Sequence, residues 1–71
     1  MKTAEQWVSE IQNYIVAQKQ KGKFWIYYPS AEMKQQTYVL VEKHFADLGY
    51  ITEFRVCASC LNKVDITIGW N

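Results

Sequence analysis

Cys57-Ala58-Ser59-Cys60 is the one segment of this chain whose residue types and spacing suit metal or redox chemistry. Two thiolates at this spacing can grip one zinc ion, but a structural zinc site takes four ligands, so the pair supplies half of one. His44 is the sole histidine, and no second histidine stands near it on its helix-patterned stretch. A redox pair normally opens a helix, where the macrodipole lowers the thiol pKa. Here the pair lies in a hairpin turn between two strand-like runs. The expectation is two ordinary cysteines at a strand end, with a four-cysteine site shared by two chains as the narrower alternative.

Other catalytic constellations do not form. Serines and aspartates occur without a nucleophile elbow or another spaced set. His44, between Val41 and Leu48 on a helix face, reads as a packed and satisfied side chain. The glycines are scattered at positions 22, 49 and 69, so no phosphate-cradling loop is present. No carboxylate pair sits in an apolar setting. The expectation is a protein that binds rather than catalyses, with no cofactor.

The elements that would position these residues come from a short chain. Its 71 residues allow a single domain, 1–71. A chain of this size buries only about 60% of its unfolded surface, so its core is thin. It nevertheless carries 3 Trp, 5 Tyr and 3 Phe, more rings than such a core hides. A net charge of +1 gives no strong pull toward nucleic acid or acidic membranes. No run approaches the roughly 18 apolar residues of a membrane span. Met1-Lys2-Thr3-Ala4-Glu5-Gln6 lacks the apolar core of a signal peptide. The expected setting is therefore cytoplasmic, without membrane contact, and two cysteines supply no disulfide framework.

Thr3 followed by Gln6 has capping-box spacing and predicts a helix start. Ala4, Trp7, Val8, Ile11, Tyr14 and Ile15 then form one apolar stripe, which fades at Gln18 before Lys19-Gln20-Lys21-Gly22-Lys23. Cations and a glycine suit a helix C-terminus. Phe24–Tyr28 predicts a short strand ended by Pro29, with Ser30 as N-cap of a second helix from Ala31 to Leu48. Met33, Thr37, Leu40, Val41, His44, Phe45 and Leu48 are its expected inner face. Tyr50–Cys57 predicts a second strand, Ala58–Asn62 a turn, and Lys63–Trp70 a third strand whose Val64, Ile66, Ile68 and Trp70 face the core. Trp70 in that phase is expected to be buried deeply enough that its loss unfolds the chain.

The fold class is thus α+β, in the order αβαββ. The last two strands form a hairpin, and the second helix carries the first strand across to them. The expected sheet order is 1-3-2, with the third strand central and both helices on one face. The other face then shows Trp25, Tyr27, Glu53, Arg55, Asp65 and Thr67, aromatics mixed with charges of both signs. Such a patch marks an interface with a protein partner or a second copy. Glu53, Arg55, Lys63 and Asp65 would fix its register. Bases could stack on Trp25 and Tyr27, but Glu53 and Asp65 would repel phosphates, so nucleic acid is the weaker reading.

The helix ending in Lys21-Gly22-Lys23, the strand Phe24–Tyr28, the helix closing in Leu48-Gly49-Tyr50 and the terminal Asp65-Ile66-Thr67-Ile68-Gly69-Trp70 give the whole chain a further meaning. In these segments it resembles a loose class of small phage-encoded proteins. The last segment looks like their Ile-Ser-Trp type of ending, with Gly69 where they carry Ser. The turn with Cys57 and Cys60 departs from the class. These motifs encode a fold rather than a site. The resemblance implies phage origin and an accessory role in the host cytoplasm or the virion, and it implies no catalytic residues. The leading expectation is a minor virion component that assembles through its sheet. A small inhibitor of a host protein is the alternative.

Because Cys57 and Cys60 supply only half a site, both are expected to be dispensable. Metal analysis of the purified chain is expected to find no stoichiometric zinc, and a double Cys→Ser variant is expected to melt with wild type. A zinc-to-chain ratio near one half would reveal a site shared between two chains.

Overall fold

The computed structural model describes residues 2–56 and 62–70. They form α1 (Ala4–Gln20), β1 (Trp25–Glu32), α2 (Gln35–Asp47), β2 (Ile51–Val56) and β3 (Lys63–Gly69). The capping box closes as its spacing predicts. The Gln6 backbone N–H donates to Thr3 Oγ1 at 3.2 Å, and the Thr3 N–H donates to Gln6 Oε1 at 2.8 Å. At the other end, Lys23 N–H donates to the Gln18 carbonyl and Gly22 N–H to that of Lys19, each at 3.0 Å. This double closure needs a left-handed residue, and Gly22 supplies it with φ +79°. Between the caps, Trp7, Ile11 and Ile15 bury the stripe.

β1 does not stop at Pro29. It runs to Glu32, paired antiparallel with β3, and its register shifts between Tyr28 and Ala31. Pro29 and Ser30 together stand opposite the single residue Asp65, which is a β-bulge. A proline is tolerated there because β1 is an edge strand and loses only one donor. Ser30 takes φ +55°, and its N–H donates to Asp65 Oδ1 at 2.9 Å. Ser30 is therefore a bulge residue rather than an N-cap. Lys34 occupies the N-cap position of α2, without a side-chain capping bond.

The later start also changes the inner face of α2. Val41 and Phe45 are buried, and Tyr38 packs against the core. Leu40, His44 and Leu48, expected inside, are exposed. Tyr38 takes the place that the sequence pattern offered to Leu40, which turns the helix off the predicted phase. Met33 is buried as expected, but from the segment ahead of the helix.

The sheet has the order β1-β3-β2, antiparallel throughout, with both helices on one face. Val64, Ile66 and Ile68 of β3 meet Ile26 and Ala31 of β1 and the buried residues of the helices in one cluster. Tyr28 stands edge-on to Trp7 at 5.6 Å and to Tyr14 at 6.4 Å between ring centroids. β3 ends at Gly69, one residue before Trp70, whose N–H donates to the Phe24 carbonyl at 3.1 Å. The Trp70 ring is half-buried against the core. Lys19 Nζ, from the last turn of α1, lies 5.7 Å from the Trp70 ring and 5.5 Å from that of Tyr50.

Trp70 packs against the core, as its phase predicts, while keeping part of its surface exposed. A fully buried Trp costs about 3–5 kcal/mol on truncation. Trp70→Ala is expected to cost somewhat less than that, leaving a folded chain with a lower thermal midpoint by circular dichroism. An unfolded variant would mean the ring supports more of the core than its exposure indicates.

Candidate functional site: the helix-free sheet face

β3 pairs with β1 and β2 in a shared register, so the uncovered face consists of cross-strand rows. Trp25, Gly69 and Ile51 form the first row, and Tyr27, Thr67 and Glu53 the second. Asp65 faces Arg55 beside the bulge, and Glu32 faces Lys63 beyond it. Every charge on the face thus falls on the far side of the first row.

The first row is apolar and open. Trp25 is 58% exposed, Ile51 66%, and neighbouring Phe24 and Tyr27 60% and 46%. Gly69 lies between Trp25 and Ile51 on the central strand. A Cβ built there would meet the Phe24 carbonyl oxygen at 3.6 Å, an ordinary contact. Its φ is not in the left-handed region either. The backbone therefore does not demand a glycine, and its absent side chain leaves a notch between two exposed apolar groups. A glycine in a strand often marks such a close-approach point.

The charged part of the face is largely self-satisfied. Arg55 Nε donates to Glu53 Oε1 at 2.6 Å, and Lys63 Nζ donates to Glu32 Oε2 at 3.0 Å. The hydrogen bond from Lys63 holds the Glu32 carboxyl below its ordinary value. A depressed carboxyl stabilises the fold above its unfolded pKa and ceases to do so as the pH falls through its folded one. Two cations, Arg55 and Lys63, face three carboxylates, Glu32, Glu53 and Asp65. This balance disfavours a phosphate backbone.

All six residues expected on the open face lie on it. Trp25, Tyr27, Glu53 and Arg55 are exposed, while Asp65 and Thr67 are half-buried. Asp65 has a structural task that strand phase did not reveal, since its carboxylate holds the bulge. Ile51 and Gly69 were missing from the expected set, although their alternation with Glu53 and Thr67 already pointed them outward. Phe24, expected to open the strand in phase with Ile26 and Tyr28, instead precedes β1 and is exposed. Cys57 and Cys60 lie outside the described residues. His44 is exposed on α2, and the described residues hold no cluster of three metal-ligating side chains.

Two other depressions carry less chemistry. One, of about 330 Å³ beside the bulge, is lined by Lys2, Trp7, Tyr28 and Lys63 among others. The buried Trp7 Nε1 has no hydrogen-bond partner among the described residues. Lys2 and Lys63 are already paired with Glu10 and Glu32, so no uncompensated charge lines the site. The other, of about 470 Å³ between α1 and α2, has Val8 and Leu40 as walls and His44 at its rim. No protein-family model, curated protein or solved structure matches the chain.

Asp65 is expected to act on stability. Asp65→Ala leaves the Ser30 N–H without its acceptor and is expected to cost about 1–2 kcal/mol in urea denaturation. Asp65→Asn keeps an acceptor oxygen and is expected to cost less than half as much. Equal losses would assign the effect to the charge instead of the hydrogen bond.

Proposed function

We propose that this chain is a non-enzymatic assembly module that binds protein through its helix-free sheet face. The exposed row of Trp25, Ile51 and their aromatic neighbours carries the reading. Trp25, Tyr27 and Ile51 offer on the order of 300 Å² of apolar surface, within the range of the biggest patch on a typical monomer. A standard interface buries about 800 Å² per partner, so the patch is the centre of a contact and not the whole of it. The charged rows beyond it supply a polar rim.

The phage setting rests on the resemblance of the helix ends, first strand and terminal segment to small phage proteins. With it, the reading becomes a phage accessory protein made in the host cytoplasm and incorporated into the virion as a minor component. Inhibition of a host protein would use the same face.

Replacing both Trp25 and Tyr27 by Ser is expected to leave the circular dichroism spectrum unchanged and to abolish partner binding. An unfolded double variant would place these side chains in the core and refute the reading. Mass spectrometry of purified virions is expected to find the chain. Early expression with absence from virions would assign it to host inhibition instead.

A further inference from the structure

We propose that the free edge of β2 pairs antiparallel with β2 of a second copy, joining two three-stranded sheets into one six-stranded sheet about a two-fold axis at Phe54. The pairing surface is the backbone edge of β2, which also contributes Ile51 to the apolar row of the open face, and it is argued on its own.

The two edges of the sheet differ. β1 is closed to strand addition in its middle: Pro29 offers no N–H, and the Ser30 N–H is already held by Asp65. The bulge also breaks the straight run of backbone groups that another strand would need. β2 has none of these devices. Its six residues pair with β3 without a register shift, and it contains neither proline nor glycine. No described residue outside β3 pairs with its backbone. Ile51, Glu53, Arg55 and Val56 along it are exposed.

Charge then selects the partner and the register. Residues directly opposite in an antiparallel pair point to the same sheet face, so a two-fold pairing of β2 with itself must centre on a residue. Centring on Glu53 or Arg55 sets like charges face to face, which is destabilising. Centring on Phe54 sets Glu53 opposite Arg55 of the second copy, twice by symmetry. Glu53 and Arg55 already touch within one chain at 2.6 Å, so the pairing turns two ion pairs into a four-membered network of alternating sign. On the helix side, Thr52 meets Val56 and Phe54 meets its own symmetry mate. The closed β1 edge means that addition stops at two copies, a closed dimer instead of a growing sheet.

The test is sedimentation equilibrium on the full chain and on two exposed charge reversals, E53R and R55E. Wild type is expected to dimerise. Each reversal alone sets like charges opposite each other at two places and is expected to raise the dimer dissociation constant about tenfold or more. An equimolar mixture of E53R and R55E restores opposite signs across the axis and is expected to form a heterodimer within about threefold of wild-type affinity. Circular dichroism must show both variants folded, and the mixture keeps the test decisive if one alone is weakened. Replacing Trp25 and Tyr27 by Ser is expected to leave the dimer intact, which separates this proposal from the open-face reading. A monomeric wild type, a dimer indifferent to both reversals, or a mixture that stays monomeric would overturn it.

Discussion

The strict alternation of β3 constrains everything else in the molecule. Val64, Ile66 and Ile68 are buried beneath the helices, so Asp65, Thr67 and Gly69 must point the other way. Burying a Val or Ile side chain contributes roughly 1.5–3 kcal/mol. Three such residues on one central strand therefore rival the few kcal/mol of net stability available to a domain this small. A slip of one residue would exchange the two faces, expose all three and lose that stabilisation. The register is held by the core, and the open face is its unavoidable reverse side. Among the described residues both helices lie on one face, so no layer covers Trp25, Tyr27 and Ile51.

The bulge at Pro29 and Ser30 is the main departure from that regularity. A serine at φ +55° is conformationally disfavoured, and the Asp65 carboxylate offsets this by taking the Ser30 N–H. Two consequences follow. The bulge restores phase, so Ala31 beyond it returns to the core that Ile26 entered before it. It also leaves the outer side of β1 a poor template for another strand. The sheet is thus asymmetric at its edges, guarded on β1 and regular on β2. Arg55 and Glu53 stand on the regular edge with their charges satisfied locally.

Signals carried by near neighbours were legible in the sequence. Thr3 and Gln6 cap α1 through bonds three residues apart, and Gly22 ends it within one turn. The period of two in Val64, Ile66 and Ile68 specified the buried face of β3, and the matching phases of β1 and β2 placed Trp25, Tyr27, Glu53 and Arg55 on the reverse. Pro29-Ser30 was not legible, because the same dipeptide serves as a strand stop with a helix cap or as an edge bulge. The deciding partner, Asp65, lies 35 residues away. The face of α2 was ambiguous for a similar reason. Tyr38 and Leu40 are both apolar and two positions apart, and only packing against the sheet chooses between them. The packed role given to His44 failed because it depends on tertiary surroundings, and the same dependence hid the bond from Ser30 to Asp65.

Taken together, the proposed dimer edge and the proposed binding face would narrow the kind of partner. A two-fold axis perpendicular to the sheet at Phe54 keeps both open faces on one side. Ile51 lies three residues from the axis, so the two Ile51 positions stand about 20 Å apart along the strands at roughly 3.4 Å per residue. Neighbouring strands in a sheet turn by about 20–25°, so the two central strands of such a dimer are rotated by roughly 60–75° relative to each other. Two modest apolar patches, separated and rotated in this way, do not fit one flat globular surface well. They fit a partner that presents the same feature twice, where the second contact forms at high effective concentration and converts two weak contacts into one stable attachment. A repeating protein assembly has that property and a monomeric enzyme does not. On that geometry the proposed virion role would suit the proposed dimer better than the proposed inhibition of an isolated host protein.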